Sequence, residues 1–532
     1  MNIPYRSGRQ SRGADTVPAP RIGRSAMDRS LRHSTTGDAG FLLPLFVDEV
    51  LPGDTVRMDA TIFGRLLSPL SVPSLDELIL DCQAFFVPFR LLWVNWKRFM
   101  GERDNPADHN DFLVPQLSNP VGGAGFQRHS LADYFGVRTE TDGLDIDALF
   151  HRAYVKIWND FYRDENLQDM VDFPTDDGPD DAEDYELLKR GKRKDYLTGA
   201  LPFVQKGPDV EIPIGVSAPL VGIAPVSFTP GTGPDFNQGA TTGPLSVNSG
   251  DVRFGAGTGN IDWSDPNLFT SLSGSGATAD LSAATGININ DFRELVATQH
   301  LFERDARGGT RYVELLQQHF DVTPEDSRLQ RAEFLWSHSQ SLSTHVVAST
   351  AQVVSAQATL AGYMQGLASA RGFTKSFPEH GALMVMVSVR APLRYQQNVP
   401  RFLKRRNRFD FYWNDFALLG EQPVYNYEIF AQGTSEDNEV FGYQPRYEEY
   451  RRREGMITGA LRSDDPLPLD VFHLAQKFDN LPGLNGEFIE EDPPVDRITA
   501  VNEEAQLLFD CNFRVNHVRP MPMFANPGLL RL

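Results

Sequence analysis

Alternation of apolar and polar residues marks the clearest elements of this chain. Val56, Met58, Ala60 and Ile62 alternate with Arg57, Asp59 and Thr61, the period-two signature of a strand with one buried face. Leu78, Leu80, Cys82, Ala84 and Phe86 form a second such face, closed by Pro88. Near the other end, Leu507, Phe509, Cys511, Phe513 and Val515 alternate with Asp510, Asn512, Arg514 and Asn516. Residues 383–389 are instead a continuous apolar run, which predicts a strand buried on both faces. Strands at both ends predict one sheet system closed by the termini, with long loops between.

The loops carry helical patterns. Ile146, Leu149, Phe150, Ala153, Tyr154, Ile157, Trp158 and Phe161 recur at spacings of three and four, an amphipathic helix with its aromatic stripe in a core. Asn290 or Asp291 suits the N-cap of a helix through Phe292, Leu295, Val296 and Phe302, and residues 310–320 predict a shorter one. Residues 226–290 behave differently. They hold eleven Gly and one basic residue, Arg253, and lack helical periodicity, so they read as a surface excursion.

Composition adds a charge asymmetry. The 532 residues include 50 Lys and Arg against 71 Asp and Glu, a net −21. A chain this acidic is no general nucleic-acid coat, so any such contact must be local. The first 33 residues reverse the sign: Arg6, Arg9, Arg12, Arg21, Arg24, Arg29 and Arg32 face only Asp15 and Asp28. With Pro and Gly interspersed, residues 1–33 read as a flexible basic arm, or more plainly as a solvated tail. Cys82 and Cys511 make at most one bridge, which excludes a disulfide scaffold. No run of eighteen apolar residues exists and the N-terminus lacks a secretory h-region, so a soluble protein made inside the cell is expected, without membrane insertion.

Catalytic chemistry finds little support. The closest His residues, His338 and His345, are seven apart, and two distant Cys cannot build a zinc site. Gly255, Gly257 and Gly259 resemble a phosphate loop without the strand before or the helix after. The acidic residues between Asp172 and Glu186 lack calcium-loop spacing, and Lys189, Arg190, Lys192, Arg193 and Lys194 follow to neutralise them, so a mutually screened loop is expected. Arg401, Lys404, Arg405, Arg406 and Arg408, interleaved with Phe402 and Phe409 and followed by Phe411, Tyr412 and Trp413, have the composition of a single-strand nucleic-acid platform. The plainer reading is an interface or core segment whose Arg side chains pair with the abundant acids.

Motifs along the whole chain then resemble one family. They include His33 to Gly40 (HSTTGDAG), Val47 to Thr55 (VDEVLPGDT), Phe85 to Arg90 (FFVPFR) with Asn95 and Trp96, Trp158 to Gln168 (WNDFYRDENLQ), Arg190 to Tyr196 (RGKRKDY) and Gln205 to Pro208 (QKGP). Later come Arg311 and Tyr312, Arg328 to Arg331 (RLQR), Leu419 to Gln422 (LGEQ), Ala431 to Thr434 (AQGT), Phe441 to Arg446 (FGYQPR), Arg519 to Met523 (RPMPM) and Pro527 to Leu529 (PGL). The sequence resembles the major capsid proteins of the Microviridae, most closely the gokushovirus branch.

That resemblance implies a mainly β fold: an eight-stranded antiparallel viral jelly roll with long, partly helical inter-strand insertions, residues 34–532 forming one such domain. It implies a non-enzymatic subunit of a T=1 icosahedral shell, without cofactor, built from copies of itself around circular single-stranded DNA. Assembly would take place in the bacterial cytoplasm, with a small basic packaging protein and with scaffolding and pilot proteins as further partners. Arg6, Arg9, Arg12, Arg21, Arg24, Arg405 and Arg406 become candidates for contact with DNA or the packaging protein. The 226–290 excursion would correspond to the family's three-fold protrusion, facing a host receptor, with glycans as one candidate class. Two rival classes share the fold: a carbohydrate-binding module, normally smaller and secreted, and a jelly-roll glycosidase or cupin. The scattered His argue against the cupin, while a carboxylate pair facing a cleft stays open.

Overall fold

The computed structural model describes residues 23–105, 107–109, 111–118, 125–208, 289–309, 311–348 and 360–524, with Val210 and short strands between 220 and 279. The principal strands are β1 (Ser25–Asp28), β2 (Leu31–Gly37), β3 (Leu43–Val50), β4 (Thr55–Leu66), β5 (Leu78–Pro88), β6 (Glu333–Ala348), β7 (Leu360–Ser376), β8 (Gly381–Arg390), β9 (Glu421–Tyr425), β10 (Val440–Pro445) and β11 (Leu507–Arg519). All except β9 and β10 join one curled, wholly antiparallel sheet of nine strands.

One half of that sheet runs β2-β11-β4-β7 and the other β3-β8-β5-β6, with the β6–β7 hairpin as the corner between them. Labelled in chain order, the eight strands pair first with eighth, eighth with third, third with sixth, and second with seventh, seventh with fourth, fourth with fifth. This is the Greek-key order of a jelly roll, as expected. The additional strand β1 follows β2's pairing along the same edge of β11, Ser25 opposite Arg519.

The inward faces make the main core. Val56, Met58, Ala60 and Ile62 of β4 meet Leu80, Cys82 and Phe86 of β5, Leu383, Val385 and Val387 of β8, and Phe509, Cys511 and Phe513 of β11. Both cysteines are buried there as free thiols. The opposite face of β5 and β8 is also covered. Phe85, Val87, Ala382, Met384 and Met386 pack on α1 (Leu149–Ile157), whose Leu149, Ala153, Tyr154 and Ile157 come from the insertion between β5 and β6. Burial on two sides is why residues 382–387 are apolar without alternation. A third, smaller core lies under the β9–β10 hairpin, where Val424 and Phe441 pack with Tyr196, Ile429 and Phe488.

Several boundaries differ from expectation. The expected 146–161 helix is shorter: Ile146 pairs in a two-residue strand with Leu117, and after Ile157 the chain widens into a π turn, Trp158–Tyr162. Helix α2 spans Ile289–Gly308, so Asn290 and Asp291 lie inside it rather than capping it, and α3 spans Tyr312–Phe320 behind Arg311. The arm expected to run to residue 33 is strand from Ser25, because both halves of its C-terminal third find partners along β11. Strands β6 and β7 were not legible, since Ser, Thr, Gln and Gly occupy the positions where large apolar residues would alternate.

The charged region after residue 171 is also rearranged. The basic run does not neutralise the acidic one. Arg190 bonds Asp81 at 2.5 Å, Lys189 bonds Asp492 at 3.0 Å, Lys192 donates to the Phe488 carbonyl at 2.6 Å, and Lys194 pairs with Asp164 at 2.9 Å. Asp180 is buried against Arg152 in a two-pronged ion pair of 2.5 and 2.8 Å, with the Tyr185 hydroxyl donating to it as well. Solvated side chains were expected because sequence neighbours screen one another; the fold brings stronger partners from other segments.

Residues 205–302 form a separate compact unit. Its described strands nest: Leu220–Val221 with Thr278–Ala279, Asn237–Gln238 with Leu268–Phe269, and Val252–Phe254 with Ile261–Trp263, all antiparallel. The excursion expected over 226–290 falls within this unit, and its remaining residues lie outside the described ones.

Two predictions follow from this packing. Leu383→Ala and Met384→Ala, on opposite faces of β8, should each cost about 2–5 kcal/mol in denaturant unfolding, while Leu418→Ala, 94% exposed, should stay within about 0.5 kcal/mol. His151, buried between the rings of Phe135 and Tyr185, has its pKa pushed down to about 3 by burial. Between that value and the ordinary 6.5 the unfolded chain binds the extra proton, so stability rises with pH. Acidification from pH 7 to 5 should cost about 2 kcal/mol through this group, a loss that His151→Phe removes.

Candidate nucleic-acid interface

The basic-aromatic segment follows β8 and lies beside the β9–β10 hairpin as three single turns, Arg401–Leu403, Arg408–Asp410 and Asn414–Phe416. Its cations divide into two sets. Arg401 turns inward, donating from Nη1 to the Pro423 carbonyl at 2.6 Å and to Glu428 Oε1 at 3.0 Å. Glu428 is buried and also accepts from the Tyr196 hydroxyl at 2.8 Å and the Tyr425 backbone N–H at 3.0 Å. Arg405 is mostly covered. Its guanidinium lies over the rings of Tyr450 and Phe411, 4.7 and 5.3 Å from their centroids, and 3.8 Å from Glu449.

The second set faces outward. Arg406 is exposed, and among the described residues its guanidinium has no carboxylate partner. Its backbone N–H donates to Asp410 Oδ2 at 2.7 Å, as does that of Asn407, which holds the Asp410 carboxyl below the usual range. Lys404 sits over Tyr427 and Arg408 over Phe409 and Trp413. Phe402, Phe409, Phe411, Tyr412 and Trp413 are each 43–52% exposed. Open rings beside unpaired cations can stack bases and meet phosphates. Pairing with acids, the plainer reading, holds for Arg401 and in part for Arg405.

The basic N-terminal candidates are separated from this patch in the chain. Arg24 donates from Nη2 to the Gly53 carbonyl and Thr55 Oγ1, both at 2.7 Å, and to the Val518 carbonyl at 3.0 Å, fastening β1 to the sheet. Arg29 and Arg32 form two-pronged pairs with Asp48 and Asp510. Arg6, Arg9, Arg12 and Arg21 lie outside the described residues.

Sequence patterns did not reveal a cavity of about 500 Å³ walled by Arg163, Arg190, Lys192, Lys194, Arg307 and Arg311. Its bases come from three distant stretches and are already engaged: Arg307 with Glu421, Arg311 with Glu165 and Glu314, Arg163 with the Gln168 carbonyl. Among the described residues no three His, Cys, Asp or Glu side chains gather as a metal site, and no helix is long and apolar enough to cross a membrane.

The strand order, with long insertions after β5 and after β8, defines a jelly-roll protein. Comparison with known proteins identifies the family. Residues 15–529 match the capsid protein (F protein) family of phages, and the chain belongs to it. It is 41% identical to capsid protein VP1 of Bdellovibrio phage phiMH2K over 96% of both chains, 38% identical to capsid protein VP1 of Chlamydia phage 1 over 97% of both, and 36% identical to capsid protein VP1 of Spiroplasma virus 4 over 93% of both. All three are phages of the Microviridae. The protein is therefore a structural capsid protein, a virion component that assembles with copies of itself, and not an enzyme.

The two sets of cations should separate by stability. Arg401→Ala strands Glu428 in the interior and should cost about 3–5 kcal/mol in denaturant unfolding, whereas Arg406→Ala should stay within about 0.5 kcal/mol.

Proposed function

We propose that this chain is the major shell subunit of a T=1 icosahedral capsid around circular single-stranded DNA, assembled in the cytoplasm of a bacterial host. The observation that carries the reading is the match to the capsid family over residues 15–529 on a chain folded in jelly-roll order. Closed symmetry repeats each subunit contact over the shell. The long insertions then supply the surfaces by which copies meet.

Packaged DNA requires positive charge on an acidic subunit. The basic segment holding Arg6, Arg9, Arg12 and Arg21 contacts the DNA or a small basic packaging protein, and Arg406 is the better placed of the two interior candidates because it is exposed while Arg405 is stacked between rings. Scaffolding and pilot proteins complete assembly. The excursion over 226–290, poor in charge and rich in Gly, Ser and Thr, contacts a host receptor, for which glycans are a fitting class.

Electron microscopy of the chain expressed with its neighbouring phage structural genes should yield closed, uniform particles; subunits that stay monomeric in that setting would reject the reading. The four Arg of residues 1–22, on single-stranded phosphates, should contribute roughly −3 to the slope of log K against log salt. Deleting residues 1–22 should flatten that slope markedly, and an unchanged slope would remove the arm from DNA contact.

A further inference from the structure

The β6–β7 hairpin outruns its neighbours. On one side β6 pairs with β5 only as far as Leu342, opposite Leu78, and on the other β7 pairs with β4 only from Gln365. From there outward residues 343–348 and 360–365 pair with each other, Val346 opposite Gly362 and Val347 opposite Ala361. Leu70 alone bridges to Gly362, so the β6 edge of this ribbon is unpaired among the described residues. Val346, Val347 and Leu360 are 47–57% exposed, and Tyr363, stacked on His345 at 5.0 Å, is 42% exposed. Two paired strands with this much open apolar surface are marginal by themselves.

The composition of the ribbon is more unusual than its exposure. From Phe334 to Ala370 no Asp, Glu, Lys or Arg occurs in 37 residues; at the chain's average of 23% charged residues, about eight would be present. A projecting strand edge ordinarily carries charge to prevent pairing with other chains. Its absence here removes the Lys and Arg that supply most of the affinity for a polyanion. A contact between different patches of two subunits would tolerate opposite charges. Close to a rotation axis, by contrast, a charged residue lies beside its own symmetry copies and so faces its own sign, at a cost that grows as water is excluded. A charge-free, apolar, open-edged ribbon is the composition that such a place requires.

We infer that the β6–β7 ribbon gathers around a rotation axis of the shell, where its exposed Val346, Val347, Leu360 and Tyr363 pack against the same ribbon of neighbouring subunits. The inference rests on the shell-subunit reading. It adds which element closes an axis and gives the physical reason for the ribbon's neutrality.

Three variants test this in the co-expression system that yields particles from the unaltered chain. Val347→Glu should leave the subunit folded, with an unchanged circular dichroism spectrum and melting temperature, yet abolish particles; particles in unchanged yield would overturn the inference. Val347→Cys and Ala348→Cys should still assemble and, on mild oxidation, give disulfide-linked dimers on non-reducing gels, since Cys82 and Cys511 are buried. Assembled particles that form no such dimers at either position would mean that the ribbon meets another surface or another protein, and the inference fails. If the unaltered chain makes no particles, the shell reading falls first and the ribbon inference with it.

Discussion

Burial of β5 and β8 on both faces is the constraint on which the rest of the structure depends. A free-standing jelly roll needs apolar residues only on its inward faces. Here Phe85, Val87, Met384 and Met386 are apolar on the outer face as well, and they require a cover. The insertion after β5 provides it by laying α1 across the sheet. The insertion is thus half of a second core, and its position is set by the strands beneath it.

Ion pairs then hold the insertions in register. Asp81, on β5, lies where burial alone would raise its pKa. The Ser339 hydroxyl and the Arg190 and Arg390 guanidinium groups instead hold its carboxyl below the usual range. Three elements remote in sequence converge on one carboxylate. Arg152 with Asp180, and Arg401 with Glu428, play similar parts in the two insertions. Taking such charges out of water consumes much of the Coulomb attraction, so they add little to stability. Their value is geometric, because any other arrangement strands a buried charge.

What remains outside these cores is what a shell subunit needs. The covered faces leave the aromatic platform around Trp413 and the neutral β6–β7 ribbon uncovered, each with its own chemistry. One is basic and aromatic; the other avoids charge altogether.

The sequence by itself determined the parts whose pattern is local. Alternation marked β4, β5 and β11, and the continuous run marked β8, because a strand's two faces are written at neighbouring positions. The capsid family was legible from motifs spread over the whole chain. Only the tertiary structure decided how far β6 and β7 extend, since their small polar residues carry no periodic signal. It also decided that β1 and β2 line the edge of β11, that Arg401 faces inward while Arg406 faces out, and that Arg190 answers Asp81 instead of its acidic neighbours in sequence. Each of these is set by partners a hundred or more residues away or by which side of a turn is covered. A chain's charges choose among partners in space, and local order along the chain does not show which will be nearest once water has been excluded.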